Sequence, residues 1–210
     1  MSKPVPDDAP LWLFADQLGP AVYGGEHAHR EVVLIEATSA LRRRPYHRQK
    51  LHLVLSALRH AHRDLGERAT LLQADTYTDA LRRYGRPVLV HQPTSHAAEA
   101  FVHRLRDQGL IVDVLPTPTF ALPRADFAQW AGGRKRFRME DFYREQRRRF
   151  GVLMDGREPV GGRWNYDPEN RESPPRKQRS LGLPGPYQPA EDDIDAEVER
   201  LSKYVARNCK

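Results

Sequence analysis

Residues 87–115 read PVLVHQPTSHAAEAFVHRLRDQGLIVDVL, and they decide the fold because they place a helical pattern between two short apolar runs. Pro87–His91 and Leu110–Leu115 have the length and apolar character of buried strands. Between them, Ser95 is a candidate N-cap, and Gly109 ends the apolar helical pattern that follows it. The stretch therefore predicts a strand, a helix and a second strand parallel to the first.

The same alternation extends toward the N-terminus. Apolar runs at Leu11–Ala15, Glu31–Glu36 and Ala69–Ala74 predict three more strands, and Arg48–Leu65 and Thr76–Tyr84 carry helical patterns. Alternating strands and helices predict an α/β fold: an open parallel five-stranded sheet with helices on both faces, in a Rossmann-like arrangement. The first strand is not followed by Gly-x-Gly-x-x-Gly or by a phosphate-binding lysine loop, so the sequence does not support a dinucleotide site or an NTPase.

The chain changes character after Pro116. Asp126–Ala131 and Met139–Phe150 are helix candidates, and the dense glycines and prolines of Gly151–Pro189 predict irregular chain. Apolar residues spaced 4, 3 and 4 apart from Ile194 onward predict a final amphipathic helix. We therefore expect an α/β domain at 1–133, a basic helix with an extended linker at 134–190, and a terminal amphipathic helix at 191–210.

Composition narrows the class of protein. The sequence has no run of about 18 apolar residues, which predicts no membrane span, and its first ten residues lack the apolar region of a signal peptide. Cys209 is the only cysteine, so a disulfide within the chain is excluded and a cytoplasmic location is favoured. One cysteine also cannot supply the four thiolates that an iron–sulfur cluster needs.

A basic segment runs from Arg134 to Arg149, with eight basic and three acidic residues. Such a density of charge favours contact with nucleic acid or with an acidic partner. The alternative is a solvated helix face, or one that docks on acidic neighbours. The candidate contact residues are Arg134, Lys135, Arg136, Arg147, Arg148 and Arg149.

Two carboxylates follow the first two predicted strands. Asp16 and Glu36 stand at carboxyl ends, which is the edge where open α/β sheets bind ligands. There they could accept hydrogen bonds from a ring N–H or a ribityl hydroxyl; the alternative is that they cap helices or pair with nearby arginines. His60 and His62 would lie on different helix faces, and we expect no metal site. The sequence also shows no convincing nucleophile with a matching base.

Several longer stretches together resemble one family. They are LFADQL at 13–18, YHRQK at 46–50, SALR at 56–59, QWAGG at 129–133, RMEDFYREQRRRFGVLMDG at 138–156 and PVGGRWNYDPENR at 159–171. In these stretches the chain resembles the prokaryotic photolyase-related proteins, the group of iron–sulfur bacterial cryptochromes and (6-4) photolyases. The resemblance covers nearly the whole chain.

The resemblance implies that this chain is the N-terminal half of such a protein, a domain that holds a light-harvesting antenna, typically 6,7-dimethyl-8-ribityllumazine. In the family, FAD, the iron–sulfur cluster and the lesion pocket lie in a helical half that this sequence does not contain. The implied antenna contacts are Asp16 and Glu36, with Phe14, Gln17 and Leu18 lining the site and Tyr46 and His47 closing it. Pro45-Tyr46-His47-Arg48 departs from a common double-histidine form, which affects the closing contacts.

The implied work of the domain is energy transfer to a flavin on another domain or chain, in DNA photorepair or blue-light sensing. A complete deoxyribodipyrimidine photolyase acting on a flipped lesion is a second hypothesis, and the missing flavin half weighs against it for this chain alone. A third hypothesis is a stand-alone basic protein of the same fold that binds DNA or a protein and has neither a chromophore nor catalytic activity. Its affinity for DNA would then fall steeply with salt concentration.

Overall fold

A computed structural model describes residues 6–167, 182–187 and 190–205. The chain folds as two units: one takes Met1–Pro123 together with Ala190–Lys210, and the other takes Arg124–Pro189. The described part of the chain contains no helix with the length and apolar character needed to cross a membrane. Much of the linker expected at 134–190, from 168 to 181 and at 188–189, lies outside the described residues, as do 206–210 of the expected terminal segment.

The first unit contains the predicted five-stranded sheet. Its strands are β1 (Leu11–Leu13), β2 (Val32–Ala37), β3 (Ala69–Ala74), β4 (Val88–His91) and β5 (Ile111–Leu115). They lie in the order β3-β2-β1-β4-β5, and every neighbouring pair is parallel. The predicted α/β class and parallel sheet are therefore confirmed, with strand boundaries within about two residues of the apolar runs.

Helices connect the strands. They are α1 (Pro20–Tyr23), α2 (Thr38–Arg42), α3 (Arg48–Leu65), α4 (Tyr77–Tyr84) and α5 (His96–Asp107). Thr76 and Ser95 cap α4 and α5, because their hydroxyl oxygens accept hydrogen bonds from Asp79 N and Ala98 N. These side-chain caps explain why α4 begins at Tyr77 and α5 at His96.

Alternate strand residues pack against helices on opposite faces of the sheet. Val33 and Ile35 pack on the side that holds Leu81 of α4 and Leu105 of α5. Leu34, between them in β2, packs on the side that holds α3. Because both faces are buried, the strands are mostly apolar, and the polar side chains that can meet a ligand gather where the strands end.

The strand order creates a switch point at the carboxyl edge. Connections from β1 run outward through β2 to β3, and the chain then crosses back to β4, which pairs with the other side of β1. The chain segments that leave β1 and β4 therefore diverge, and an open crevice forms between them. This is the place where sheets of this kind bind ligands.

The C-terminal helix, α8 (Asp193–Val205), packs on α3 in the same unit. Val198 of α8 is fully buried, and pairs of opposite charge flank it: Arg48 with Glu199, and Arg59 with Glu197. The predicted amphipathic helix is therefore present through residue 205. The apolar side chains of α8 pack on α3, and its acidic side chains pair with arginines of α3.

The second unit contains α6 (Arg124–Ala131), α7 (Met139–Phe150) and a short hairpin of β6 (Met154–Asp155) and β7 (Glu158–Pro159). The hairpin lies in the region expected to be irregular, so that expectation is wrong for these residues. Two residues join the strands, and Gly156 begins the turn with φ of 58°, a conformation that favours glycine.

Glu36 in β2 and Arg59 in α3 form a buried ion pair in the first unit. They are only 8% and 7% exposed. Arg59 Nε donates to Glu36 Oε1 at 2.8 Å and Nη2 donates to Oε2 at 3.2 Å, while Gln73 Nε2 donates to Oε2 at 2.8 Å. The hydrogen bonds that Arg59 donates to Glu36 raise the pKa of Arg59 against the opposing effect of burial, so Arg59 stays charged.

Arg59→Met should lower the free energy of unfolding by about 3 kcal/mol, because it leaves the Glu36 carboxylate buried without its cation. Urea denaturation followed by circular dichroism measures the loss. Arg106→Met is the matched control, since Arg106 pairs with Asp113 at 3.0 Å in a half-exposed position and should cost about 1 kcal/mol or less. Equal losses of unfolding free energy in the two variants would contradict the proposed contribution of the buried pair to stability.

Candidate functional site

A cleft of about 810 Å³ lies at the carboxyl edge of the sheet in the first unit. Every strand from β1 to β4 contributes residues that follow its carboxyl end. They are Phe14, Ala15 and Asp16 after β1; Ser39, Ala40, Arg43 and Tyr46 after β2; Thr76, Tyr77 and Thr78 after β3; Ser95, Ala97, Ala98 and Phe101 after β4; and Val54 on α3. Its volume suits a small organic molecule or a cofactor.

Aromatic rings form one wall of the cleft. The ring centroids of Phe14 and Tyr77 are 6.0 Å apart, and those of Tyr77 and Phe101 are also 6.0 Å apart. Trp12, buried behind them, lies 4.4 Å from Phe14 and 5.3 Å from Tyr77. Such a cluster offers ring faces and edges against which a planar aromatic ligand can stack.

The rim of the cleft carries groups of both polarities. Asp16 is exposed there and accepts a hydrogen bond from Thr94 Oγ1 at 3.1 Å. Burial raises the pKa of the Tyr77 phenol, the charge of Asp16 raises it further, and Arg43 opposes the rise. Tyr77 therefore keeps its phenol proton at neutral pH and can donate a hydrogen bond. The cleft thus offers an anion (Asp16), a cation (Arg43) and a neutral donor (Tyr77).

Of the seven residues expected to hold a chromophore, the cleft brings together Phe14, Asp16 and Tyr46. The others lie elsewhere. Leu18 packs in the core on the α3 side of the sheet, and His47 caps α3, where its Nδ1 accepts from Gln49 N at 3.2 Å. The lid that was expected to combine Tyr46 with His47 therefore has only Tyr46 at the cleft.

Glu36 was expected at the open rim, and the structure corrects its position. It lies within β2, and its two carboxylate oxygens already accept hydrogen bonds from Arg59 and Gln73. Pairing with an arginine was the alternative that the sequence left open, and this is the environment observed. The two acids are thus in different settings, and only Asp16 faces the cleft.

Gln17 is also buried rather than open to the cleft. Its Oε1 accepts from Phe14 N at 3.3 Å, and its Nε2 donates to the carbonyl oxygens of His91 at 3.4 Å and Gln92 at 3.5 Å. The side chain therefore joins the ends of β1 and β4.

Sequence reasoning missed Arg43, Tyr77 and Phe101 as cleft residues. Phe101 was assigned to the apolar face of α5, and Tyr77 lay inside a helix candidate, so neither stood out as a ligand contact. The signal that could have found Tyr77 is its position directly after the third strand, since the rule applied to Asp16 covers every carboxyl end of the sheet.

The basic segment is used partly inside the second unit. Arg147 is 6% exposed, and its guanidinium donates to the carbonyl oxygens of Val152 at 3.2 Å, Trp164 at 3.0 Å and Leu153. Leu153 has φ of 53°, a conformation that costs a residue with a side chain about 1–2 kcal/mol. Arg147 thus holds a strained turn and is not a surface cation.

The other candidate contact residues divide into two groups. Arg134 lies 4.5 Å from the Trp130 ring and pairs with Glu145, Arg149 pairs with Asp126, and Arg148 lies 4.6 Å from the Trp164 ring. Lys135 and Arg136 are exposed, and the structure gives them no acidic partner within the described ranges.

One group of side chains has the spacing of a metal site. His60, Asp192 and Asp195 can place one ligand atom each within 4.8 Å of one another. Arg63 Nη1 donates to Asp192 Oδ2 at 2.7 Å, which places a cation where a metal ion would bind. Burial lowers the pKa of His60, but hydrogen bonds to Ser56 O and Asp192 outweigh that effect and raise it. The group is best described as ion pairs that join α3 to the start of α8.

The comparisons with known proteins indicate one protein family. The family model described as "Deoxyribodipyrimidine photo-lyase-related protein" matches residues 11–209. A (6-4) photolyase of Agrobacterium fabrum is 31% identical over 178 residues, which are 76% of this chain and 35% of that protein. An uncharacterised protein, R852, of Acanthamoeba polyphaga mimivirus is 38% identical over 65 residues, 29% of this chain and 33% of that protein. This chain thus spans about a third of each relative.

Arg147→Met should destabilise the second unit by about 2 kcal/mol, because three backbone carbonyls lose a charged donor. Urea unfolding followed by the emission of Trp130 and Trp164, in a Trp12→Phe background, measures the effect on this unit. Lys135→Met is the matched control and should stay within about 0.5 kcal/mol. A stable Arg147→Met protein would contradict the structural role given to Arg147.

Proposed function

Because the chain belongs to the deoxyribodipyrimidine photo-lyase-related protein family, we propose that its α/β unit binds a light-absorbing chromophore of the 6,7-dimethyl-8-ribityllumazine type. The bound chromophore would pass its excitation energy to a flavin on another domain or chain. The work of this unit is then to hold a dye in place, and the photochemistry belongs to the flavin.

The observation that carries this proposal is the aromatic cleft at the switch point of the sheet. Phe14, Tyr77 and Phe101 offer ring surfaces to a planar heterocycle, and the volume of about 810 Å³ is enough for a fused ring system with a ribityl chain. A cleft that holds its ligand by stacking and by shape complementarity suits a dye that undergoes no chemical reaction there.

The polar rim matches the edges of such a ring. The Asp16 carboxylate can accept a hydrogen bond from a ring N–H or a ribityl hydroxyl, and Tyr77 and Arg43 can donate to ring carbonyls. The caps of α4 and α5, Thr76 and Ser95, also line the cleft, so the positive ends of two helix dipoles face the same space. The cleft therefore favours a ligand with electron-rich carbonyl oxygens.

Flavin chemistry lies outside what these residues supply. The relative in Agrobacterium fabrum named a (6-4) photolyase is about three times the length that this chain matches. We assign FAD and an iron–sulfur cluster to such an additional helical part, and place the pair in DNA photorepair or blue-light sensing. A cytoplasmic location belongs to the same proposal and is supported by the single cysteine of the chain.

Titration of the purified protein with 6,7-dimethyl-8-ribityllumazine should give a bound dye with altered absorption and fluorescence. Phe101→Ala should weaken binding about tenfold through lost stacking. Asp16→Asn should weaken it by a similar factor and shift the absorption band, because a charge beside the ring is removed. Both effects are read from the fluorescence titration.

Glu67→Gln is the matched control for Asp16→Asn, since Glu67 is an exposed acid just before β3, at the opposite edge of the sheet. It should leave dye binding unchanged. Wild-type protein that does not alter the spectrum of the dye, or an Asp16→Asn protein that binds as wild type does, would count against the proposal.

A second candidate function is binding of single-stranded nucleic acid by the second unit. Lys135, Arg136 and Arg138 have no acidic partner among the described residues, and they surround Phe137, whose ring is 62% exposed. Exposed cations beside an exposed aromatic ring can pair with phosphates while a base stacks. This arrangement supports DNA contact by three adjacent cations, without the inward-facing Arg147.

Lys135→Ala/Arg136→Ala should weaken binding of a single-stranded oligonucleotide and should reduce the slope of log K against log salt by about 1.4, or about 0.7 per lost phosphate contact. Fluorescence anisotropy at several salt concentrations measures both. Arg82→Ala/Arg83→Ala removes the same charge from α4 of the first unit and serves as the control. Identical salt slopes for the two double variants would reject this function for the segment.

A further inference from the structure

Gln17 lies outside the cleft but fixes the residues that line it. It is 1% exposed, and its amide contacts both sides of the switch point: Phe14 N on one side, and the carbonyl oxygens of His91 and Gln92 on the other. Pairing between β1 and β4 ends at Trp12 and Val90, so the Gln17 amide continues the connection beyond the last paired residues. The distance between the two walls of the cleft at this point depends on it.

The residues that Gln17 holds are those that face the ligand. Phe14 lines the cleft, and its backbone N–H donates to Gln17 Oε1. Asp16 lines it too and is tied to the β4 side by Thr94 Oγ1. A change at Gln17 therefore moves the stacking ring and the carboxylate together, although Gln17 itself meets neither the ring nor the ribityl chain of the proposed dye.

His91, whose carbonyl accepts from Gln17, has an unusual pair of ring contacts. Its Nδ1 lies 2.8 Å from Pro116 O and its Nε2 lies 3.0 Å from Val22 O, with the side chain 2% exposed. The ring is therefore enclosed between two backbone carbonyl groups, each of which can accept a hydrogen bond from an imidazole N–H.

His91 ties three elements together. Val22 belongs to α1 and Pro116 follows β5, while His91 itself ends β4. The ring therefore joins the segment after β1 to the far side of the sheet.

We propose that Gln17 is a positioning residue for the cleft, which sets its affinity for the chromophore without touching it. This inference rests on the proposed chromophore function for its effect on binding. Its structural half, the link that Gln17 makes between the ends of β1 and β4, stands on the geometry alone. The experiments therefore test the two parts separately.

The first experiment needs no dye. NMR of the wild-type protein should show slow exchange of the Phe14 amide hydrogen, because Gln17 Oε1 accepts a hydrogen bond from it. Fast exchange of this amide in the wild-type protein would overturn the link made by Gln17.

The second experiment uses Gln17→Met, which keeps the length of the side chain and removes the amide. Exchange of the Phe14 amide hydrogen should become at least about tenfold faster, since its acceptor is gone, while the amide of Leu34 in the centre of β2 should keep its rate. An unchanged Phe14 exchange rate would overturn the role of Gln17, whether or not the protein binds the dye.

The third experiment measures the effect on binding. In a titration with 6,7-dimethyl-8-ribityllumazine, Gln17→Met should bind about tenfold more weakly, by loss of preorganisation, with the absorption maximum of the bound dye unchanged. Asp16→Asn, which removes a contact, should shift that maximum. Leu58→Ala, a core truncation on α3, controls for general loss of stability and should leave the affinity within about twofold.

The outcomes separate the inference from the function on which it rests. Wild-type protein that does not bind the dye would reject the proposed function, and the NMR and exchange experiments would still decide the structural half. Wild-type protein that binds, together with a Gln17→Met protein of equal affinity, would reject the positioning role alone. A Gln17→Met protein that shifts the dye spectrum as Asp16→Asn does would make Gln17 a contact residue instead.

Discussion

The structure of the first unit depends on one constraint: a parallel sheet covered by helices on both faces must keep its polar groups paired or place them at an edge. Strand residues such as Val33 and Leu34 pack in opposite directions and are both buried. Side chains that can meet a ligand are therefore confined to the segments that follow the strands. The order β3-β2-β1-β4-β5 then opens those segments into a cleft between the ends of β1 and β4.

The same constraint places two acidic residues, Glu36 and Asp16, in different structural roles. Glu36 is one position inside the end of β2, and its buried charge is balanced by Arg59, which in turn pairs with Glu197 of α8. Breaking such a pair leaves an uncompensated charge, and Arg59 links α3 to both β2 and α8. Asp16 is three residues beyond β1, where water and a ligand can reach it. The position of each carboxylate relative to the end of its strand therefore decides whether it is buried in an ion pair or accessible to a ligand.

Positive charge in the second unit is divided in a similar way. Arg147 is directed inward to carbonyl oxygens around the left-handed Leu153, and Arg144 and Arg148 lie against Trp164. Lys135, Arg136 and Arg138 remain at the surface around Phe137. A count of charges along the sequence overstates the basic surface, because guanidinium groups also serve as multiple donors to backbone oxygens. The exposed cations of the segment without an acidic partner among the described residues are therefore Lys135, Arg136 and Arg138.

The sequence by itself determined the alternation of strands and helices, the limits of α3 and α7, and the importance of the carboxyl edge, because apolar periodicity and helix caps are local properties. Phe14, Asp16 and Tyr46, three of the candidate contacts that it named, line one cleft, and the family resemblance was confirmed. The tertiary structure alone decided that Glu36 meets Arg59, that Gln17 bridges two strands 74 residues apart through His91, and that Tyr77 and Phe101 complete the cleft. These contacts join residues far apart in the chain, and strand order and packing, which local patterns do not encode, bring them together.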